Sequence, residues 1–224
     1  MGPRIIIMTI DAQLLRLLTW LSPAFPVGAF GYSHGLETAI REGLVADAGD
    51  LSAWIAGLIE HGGGWTDAVL FTAAHEAAGD PLALADITEL AEALAPSLER
   101  RRENLGQGEA FLIAAQAWGR QPLSGAVPYC VAVGAICGAA EIALEPALTA
   151  WLHAFAANLV SVAVRAIPIG QTAGVAVIAE LEPPILATAA RAANSSLDDL
   201  GSAAILSDIA AMRHETLPVR LFIS

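Results

Sequence analysis

The sequence predicts an all-α protein: a single-domain helical bundle with a buried central helix. Three observations lead there. The 224 residues are 55% apolar and 15% charged, and alanine and leucine abound while alternating β-branched runs are scarce, a balance that favours helix over strand. Apolar residues recur at helical spacing between Gly and Pro breaks. The stretch Tyr129 to Leu144 is apolar all round and rich in small residues, the pattern of a helix with no face to water. A chain this long can bury a good core in one domain. No internal repeat or low-complexity linker divides it. The domain therefore spans 1–224, with 1–12 read as a flexible N-terminus and 217–224 as a C-terminal tail.

Leu14 to Leu21 is an apolar helix that Ser22-Pro23 ends. A second helix starts near Ser33, whose hydroxyl can cap it, and runs to Glu42. Leu36 and Ile40 share one face of it, and Glu37 and Arg41 pair at i,i+4 on another. Gly43 stops it. Asp50 can cap a third helix, whose apolar stripe is Leu51, Trp54, Ile55 and Leu58. Gly62-Gly63-Gly64 is a break. Thr66 to Ala78 follows, then Gly79-Asp80-Pro81, then a helix over Asp86 to Ala95. Pro96-Ser97 opens a charged helix holding Glu99, Arg100, Arg101, Arg102 and Glu103, with Phe111, Leu112 and Trp118 in its apolar continuation. In the central helix, Gly134 and Gly138 let a neighbour approach closely. Pro146 starts the next, lined by Trp151, Phe155, Leu159 and Val162. Asn194 to Ser202 is the polar loop of note. Ile205, Ile209 and Met212 mark the last helix, and Pro218 ends it.

Charge and composition exclude several functions. Net charge is −12, from 23 acidic and 11 basic residues, and every basic residue is arginine. An acidic chain repels phosphate backbones, so nucleic acid is not an expected ligand. Without lysine there is no phosphate-binding loop of the usual kind. Cys130 and Cys137, seven apart on one helix, lie about 10 Å from each other, too far for a bridge. Two unpaired cysteines suit a reducing cytoplasm. The apolar run Ile5 to Met8 is too short for a secretory signal. Gln121 to Ala140 carries no charge, but Pro122, Ser124, Gly125 and Pro128 interrupt its first half. A core helix is expected there, not a membrane span. High apolarity with low charge points instead to oligomerisation or a partner.

Catalytic equipment is not visible. His34, His61, His75, His153 and His214 form no HExxH and no Cys/His cluster, so neither a resident metal nor a cofactor is expected. Cys130 and Cys137 sit in apolar surroundings that keep a thiol inert. Asp198-Asp199 lies in a loop with no accompanying acid or base.

Four polar features remain. Ser22 to Glu37, reading SPAFPVGAFGYSHGLE, crowds two prolines, three glycines and three aromatics between apolar helices. It is either a buried turn or a shaped functional loop. Asn158, Ser161 and Arg165 share one face of an apolar helix, as a buried clasp or a partner-facing stripe, with the Gly170-Gln171-Thr172 turn just beyond. Arg100 to Arg102 reads as a solvated face, with contact to an acidic partner as the alternative. The tail, Arg220 to Ser224, docks either on its own core or on a partner.

LTWLSPAFPVGAFGYSHGLE resembles the N-terminal signature of the urease accessory protein F (UreF) family. Three further segments match in order: Ser97 to Arg100 with Gly106 and Gly108; Asn158 to Arg165 continuing to Gly170-Gln171-Thr172; and Met212 to Thr216 with Arg220, Leu221, Phe222 and Ser224. The resemblance spans about residues 14 to 224. It departs at Gly31, where serine is common, at Ala173, where an acidic residue often stands, and at the Leu217-Pro218-Val219 bridge. The resemblance implies an all-α, cytoplasmic homodimer that is not an enzyme. It implies binding to urease accessory proteins D (H in some organisms) and G, and through them to urease apoprotein, in GTP-dependent nickel insertion. Carried over residue by residue, it marks Ser22, Pro23, Pro26, Gly28, Phe30, Tyr32, Ser33, Gly35 and Glu37 as partner-binding. It marks Arg165, Gln171, His214, Glu215, Arg220, Leu221 and Phe222 likewise. Two other readings stand beside it. One is a helical metal-dependent enzyme with ligands gathered across segments; the other is a helical dimer unrelated to urease.

Overall fold

The computed structural model describes residues 4–119 and 121–224. Among them there are eleven α-helices and no strand: α1 Arg4–Trp20, α2 Leu36–Arg41, α3 Ala48–His61, α4 Gly63–Glu76, α5 Pro81–Ala93, α6 Leu98–Ala115, α7 Tyr129–Ala139, α8 Leu144–Ala166, α9 Gly170–Glu180, α10 Glu182–Ala192 and α11 Ile205–His214. Short 3-10 turns cover Ala29–Gly31, Gln116–Trp118 and Leu197–Asp199.

The central helix is α7, as expected from its composition. Every residue from Cys130 to Cys137 is buried. Helix α7 packs against α4 on one side and α6 on another. Its glycines set the α4 spacing. A Cβ on Gly134 would meet the Phe71 carbonyl oxygen at 2.5 Å, and one on Gly138 the His75 oxygen at 2.2 Å. Around α7, Trp20, Phe25, Phe111 and Trp118 form one aromatic cluster, joined through Tyr129 to Trp151 and Phe71. Helix α8 crosses the bundle against α4, α9 and α10. Among the described residues it alone has the length and apolarity of a membrane span, yet half of its most apolar window is buried inside the protein.

The breaks at Gly62-Gly63-Gly64, Gly79-Asp80-Pro81 and Pro96-Ser97 fall where the sequence places them. Asp80 accepts from the Leu82 and Ala83 amides and Ser97 from the Arg100 amide, satisfying orphan donors of their helices. Other boundaries differ. Helix α1 begins at Arg4, inside the 1–12 stretch read as flexible. The cap of α3 is Asp47, which accepts from the Asp50 amide, while Asp50 accepts in return from Ala46. Helix α7 stops at Ala139 rather than continuing to Leu144, because Glu141 takes a positive φ of 56°. Gly170 and Gln171 open α9, and α10 follows it; the sequence reading had only a turn there.

Helix α11 falls where Ile205, Ile209 and Met212 mark it. Ile205 and Met212 face solvent at 66% and 48% exposure, and Ile209 is half-buried. Ser207, Ala210, Ala211 and His214 face inward instead. The reason is space. Helix α11 lies so close to α2 that a Cβ on Gly35 would stand 2.6 Å from the Ala211 amide nitrogen. Only small side chains fit such a contact.

A carboxylate and histidine clasp on the C-terminal segment

The site is built where the N-terminal loop, α2, α6, α11 and the tail meet. After the 3-10 turn the chain passes through His34 and Gly35, with φ of 55° and 77°. Two successive left-handed residues turn it sharply into α2. Gly35, not Ser33, is therefore the N-cap of α2. Ser33 Oγ still accepts from the Glu37 amide at 3.4 Å, as a capping hydroxyl would, and Ser33 has a second task. Its backbone N–H donates to the Ser224 carbonyl at 2.8 Å, and its hydroxyl donates to the same oxygen. Ile223 N–H donates to Gly31 O at 2.7 Å.

Glu37, in the first turn of α2, is 2% exposed. Its carboxylate accepts from the Leu221 amide at 3.0 and 3.1 Å and from the Phe222 amide at 3.1 Å. It also accepts from Arg41 at 2.7 Å, the i,i+4 pair expected from the sequence. His214, fully buried at the end of α11, completes the shell. Its Nε2 lies 3.2 Å from Glu37 Oε2 and its Nδ1 2.7 Å from Glu99 Oε2. Both ring nitrogens of His214 thus face carboxylate oxygens. Burial alone would raise the Glu37 carboxyl, but Leu221 N–H, His214, Phe222 N–H and Arg41 outweigh it and hold it below the usual carboxylate range.

A second layer lies beneath. Arg100, expected on a solvated face, is only 6% exposed. It pairs with Glu103 at 2.6 Å. Glu103 also accepts from Ser224 Oγ at 2.6 Å and Gln107 Nε2 at 3.0 Å, and contacts His34 Nε2 at 2.8 Å. Burial pushes the Glu103 carboxyl up, yet Arg100, His34 and the Ser224 hydroxyl overcome it and keep the group ionised. Arg101 pairs with Glu92 instead, and Arg220 of the tail with Glu99. Glu215 reaches back to accept from the Leu98 and Glu99 amides, adding an acidic partner at the positive end of α6.

The tail thus docks on its own core, one of the two readings left open by the sequence. Phe222 and Ser224 point inward, while Val219, Leu221 and Ile223 are 62–68% exposed. Arg165 closes the edge. Its Nη2 donates to Phe30 O at 2.9 Å and its Nε to Ser161 O at 3.0 Å, with the guanidinium 3.6 Å from the Phe30 ring centroid and 4.6 Å from that of Phe222. Asn158 donates to Tyr32 O at 3.3 Å. The polar stripe of α8 therefore binds the backbone of the N-terminal loop, and its Arg165 stays exposed.

Of the sixteen carried-over residues, Ser33, Gly35, Glu37, His214, Glu215, Arg220, Leu221 and Phe222 converge here. Tyr32, Phe30 and Arg165 form the rim. Ser22 and Pro23 line a separate cavity of about 220 Å3 whose wall includes His34, Glu103 and Trp151. Pro26 and Gly28 are exposed, and Gln171 lines a groove between α8 and α9. Sequence reasoning missed Arg100 and Glu103 as interior residues, although Ser97 to Arg100 carried part of the family resemblance. Among the described residues no group of three or more His, Cys, Asp or Glu side chains is placed to hold a metal ion.

Next to the clasp, Asp67 on α4 shows how burial and charge oppose each other. Burial pushes its carboxyl up to about 6, against the pull of Arg100. It hydrogen-bonds the Cys130 thiol, whose own ionisation burial pushes far up. A carboxyl raised in the folded state contributes stability below its unfolded value of 3.8, and loses it as pH rises through about 6. Asp67→Asn is therefore expected to stabilise the fold by about 1–2 kcal/mol at pH 7.5. The gain should vanish near pH 4, as read by urea unfolding at both pH values.

The fold and site define an all-α protein that devotes its buried charges to holding one end of its own chain as a surface. The UreF family model matches residues 45–182. Curated proteins named urease accessory protein UreF are similar over nearly the full length. That of Rhizobium etli is 54% identical over 221 residues, covering 96% of this chain and 99% of the relative. That of Mesorhizobium japonicum is 52% identical over 213 residues, 93% and 95% of the two chains. That of Rhodopseudomonas palustris is 47% identical over 221 residues, 94% and 93%. This chain belongs to the UreF family.

Proposed function

We propose that the protein is a non-enzymatic scaffold in urease maturation. It joins accessory proteins D (H) and G, working as a cytoplasmic homodimer, and regulates the GTP-dependent insertion of nickel into urease apoprotein. The docked tail is its contact surface for accessory protein D. Accessory protein G takes another face, to which the N-terminal loop belongs. GTP hydrolysis is the partner's work, in keeping with a chain that contains no lysine.

The observation that carries this reading is the use made of the buried charge. Glu37, Glu99 and Glu103 bond tail amides, Arg220 and the Ser224 hydroxyl. Their effect is to fix Leu221 and Ile223 outward, two exposed apolar side chains on an ordered backbone. An apolar surface held rigid costs little further entropy on docking.

Co-purification of the full chain with accessory proteins D and G tests it, against a chain truncated after His214 and against Leu221→Asp with Ile223→Asp. Both altered chains are expected to lose accessory protein D, the second without loss of helicity. Recovery by the truncated chain equal to that of the full chain contradicts the tail's role.

A further inference from the structure

Between the N-terminal loop, α4 and α8 the bundle leaves a cavity of about 220 Å3. Trp151, Tyr129 and Phe155 give it aromatic walls, and Leu21, Val27 and Phe30 close it on the loop side. Asp67 of α4 and Glu103 of α6 also line it, whereas no arginine does among the described residues.

The two carboxylates are not alike. Glu103 is compensated by Arg100 and bonded by His34, Gln107 and the Ser224 hydroxyl. Asp67 forms no ion pair with an arginine or histidine among the described residues. A carboxylate on the outer surface needs no such partner, because water solvates it. Asp67 is half-buried inside the bundle, on the wall of this cavity and of a second one of about 80 Å3. Its loss of water is what raises the carboxyl. Asp208, another carboxyl that burial raises, borders the smaller cavity and not this one. His34 supplies little positive charge here at neutral pH, since burial and Arg100 hold it below its ordinary value.

We propose that this cavity is a binding site for a small organic cation: a primary alkylammonium on a short apolar body, its N–H groups on Asp67 and its body against Trp151, Tyr129 and Phe155. The site goes beyond the scaffold role and does not depend on which partners the protein joins. A half-buried carboxylate gains most from a cation that also donates hydrogen bonds. Aromatic faces attract the same charge. An anion would meet two carboxylates and no arginine. A metal ion would find no group of three His, Cys, Asp or Glu side chains placed to hold it among the described residues. Size limits the body. A cavity of about 150 Å3 takes benzene, so one of about 220 Å3 takes roughly nine non-hydrogen atoms. Pro23 and Phe30 of the loop and His153 of α8 lie on the same wall, so an occupant braces the loop against the bundle.

Isothermal titration calorimetry of the full chain at pH 7.5 tests this with three ligands of nearly equal shape: 2-phenylethylammonium chloride, the neutral 2-phenylethanol and the anion phenylacetate. The ammonium is expected to bind with a Kd of about 1 mM or tighter. The alcohol should bind about tenfold more weakly, and phenylacetate more weakly still. Asp67→Asn, expected above to keep or gain stability, should bring the ammonium's affinity down to the alcohol's and leave the alcohol's unchanged. Nuclear Overhauser contacts from the ligand's phenyl protons to Tyr129 and Phe155 should place it in the cavity. Where Asp67→Asn does not fold, the order of the three ligands on the wild-type chain and those contacts decide. Equal affinity for ammonium and alcohol overturns the proposal. So do tighter binding of phenylacetate, an ammonium affinity unchanged by Asp67→Asn, contacts to residues outside the cavity, or no binding of the ammonium at ten times the expected Kd. None of these outcomes alters recovery of the accessory proteins, so the scaffold reading stands or falls on its own test.

Discussion

Glu37→Ala is expected to destabilise the protein by about 3–5 kcal/mol, the range for removing one partner of a buried charged network. Four donors lose their acceptor together: the Leu221 and Phe222 amides, Arg41 and His214. His214 has no route to water, being fully buried. It keeps only Glu99, and its second nitrogen is left unsatisfied. Glu37→Gln keeps the shape but offers one carbonyl oxygen, so part of the loss should remain. Urea unfolding at pH 7 measures both. A loss under about 1 kcal/mol for the alanine variant would mean that water or a rearranged side chain replaces the carboxylate, and that Glu37 is not the centre of the clasp.

Gly138→Ala is expected to cost at least about 3 kcal/mol, at the upper end for overpacking. The added methyl would stand 2.2 Å from the His75 carbonyl oxygen and 2.8 Å from the Ala78 methyl. The first obstacle is backbone and cannot rotate away. Helices α4 and α7 must separate, and their contact lies at the centre of the core. Thermal unfolding reads this directly, with Gly79→Ala as a control, because a Cβ on Gly79 meets nothing within 4 Å. Equal melting temperatures for the two variants would show that the bundle tolerates a wider α4–α7 spacing than the structure implies.

The helices legible in the sequence are those whose ends are written locally. Asp80-Pro81 and Ser97 cap by reaching two or three residues along the chain, and the Gly62 to Gly64 break needs no distant partner. The small residues of α7 announce close packing for the same reason. What stayed hidden depends on contacts far apart in sequence. Ser33 reads as a cap, and its Oγ does accept from the Glu37 amide, but nothing local shows that its hydroxyl also donates to Ser224, 191 residues away. Arg100 reads as solvated because its neighbours are charged, and only the fold shows α6 turning that residue inward beside His34 and Ser224. Volume sets the inward face of α11, and the apolar residues that mark the helix do not announce it. Ala210 and Ala211 bring the α11 backbone against Gly35. The clasp itself was partly legible. Its members sat in three of the four segments that carried the family resemblance, but no spacing rule joins Glu37 to His214 across 177 residues.

Amide hydrogen exchange on the isolated wild-type chain at neutral pH tests most directly whether the tail is a built surface. The Leu221, Phe222 and Ile223 amides donate to Glu37 and to Gly31 O. They should exchange far more slowly than a free peptide, by a factor of 100 or more, corresponding to about 2.7 kcal/mol or more of opening free energy. The Arg220 and Val219 amides, outside those bonds, should exchange faster. Exchange of residues 221–223 at the free-peptide rate would contradict the account, because the segment would then be unfastened before any partner arrives.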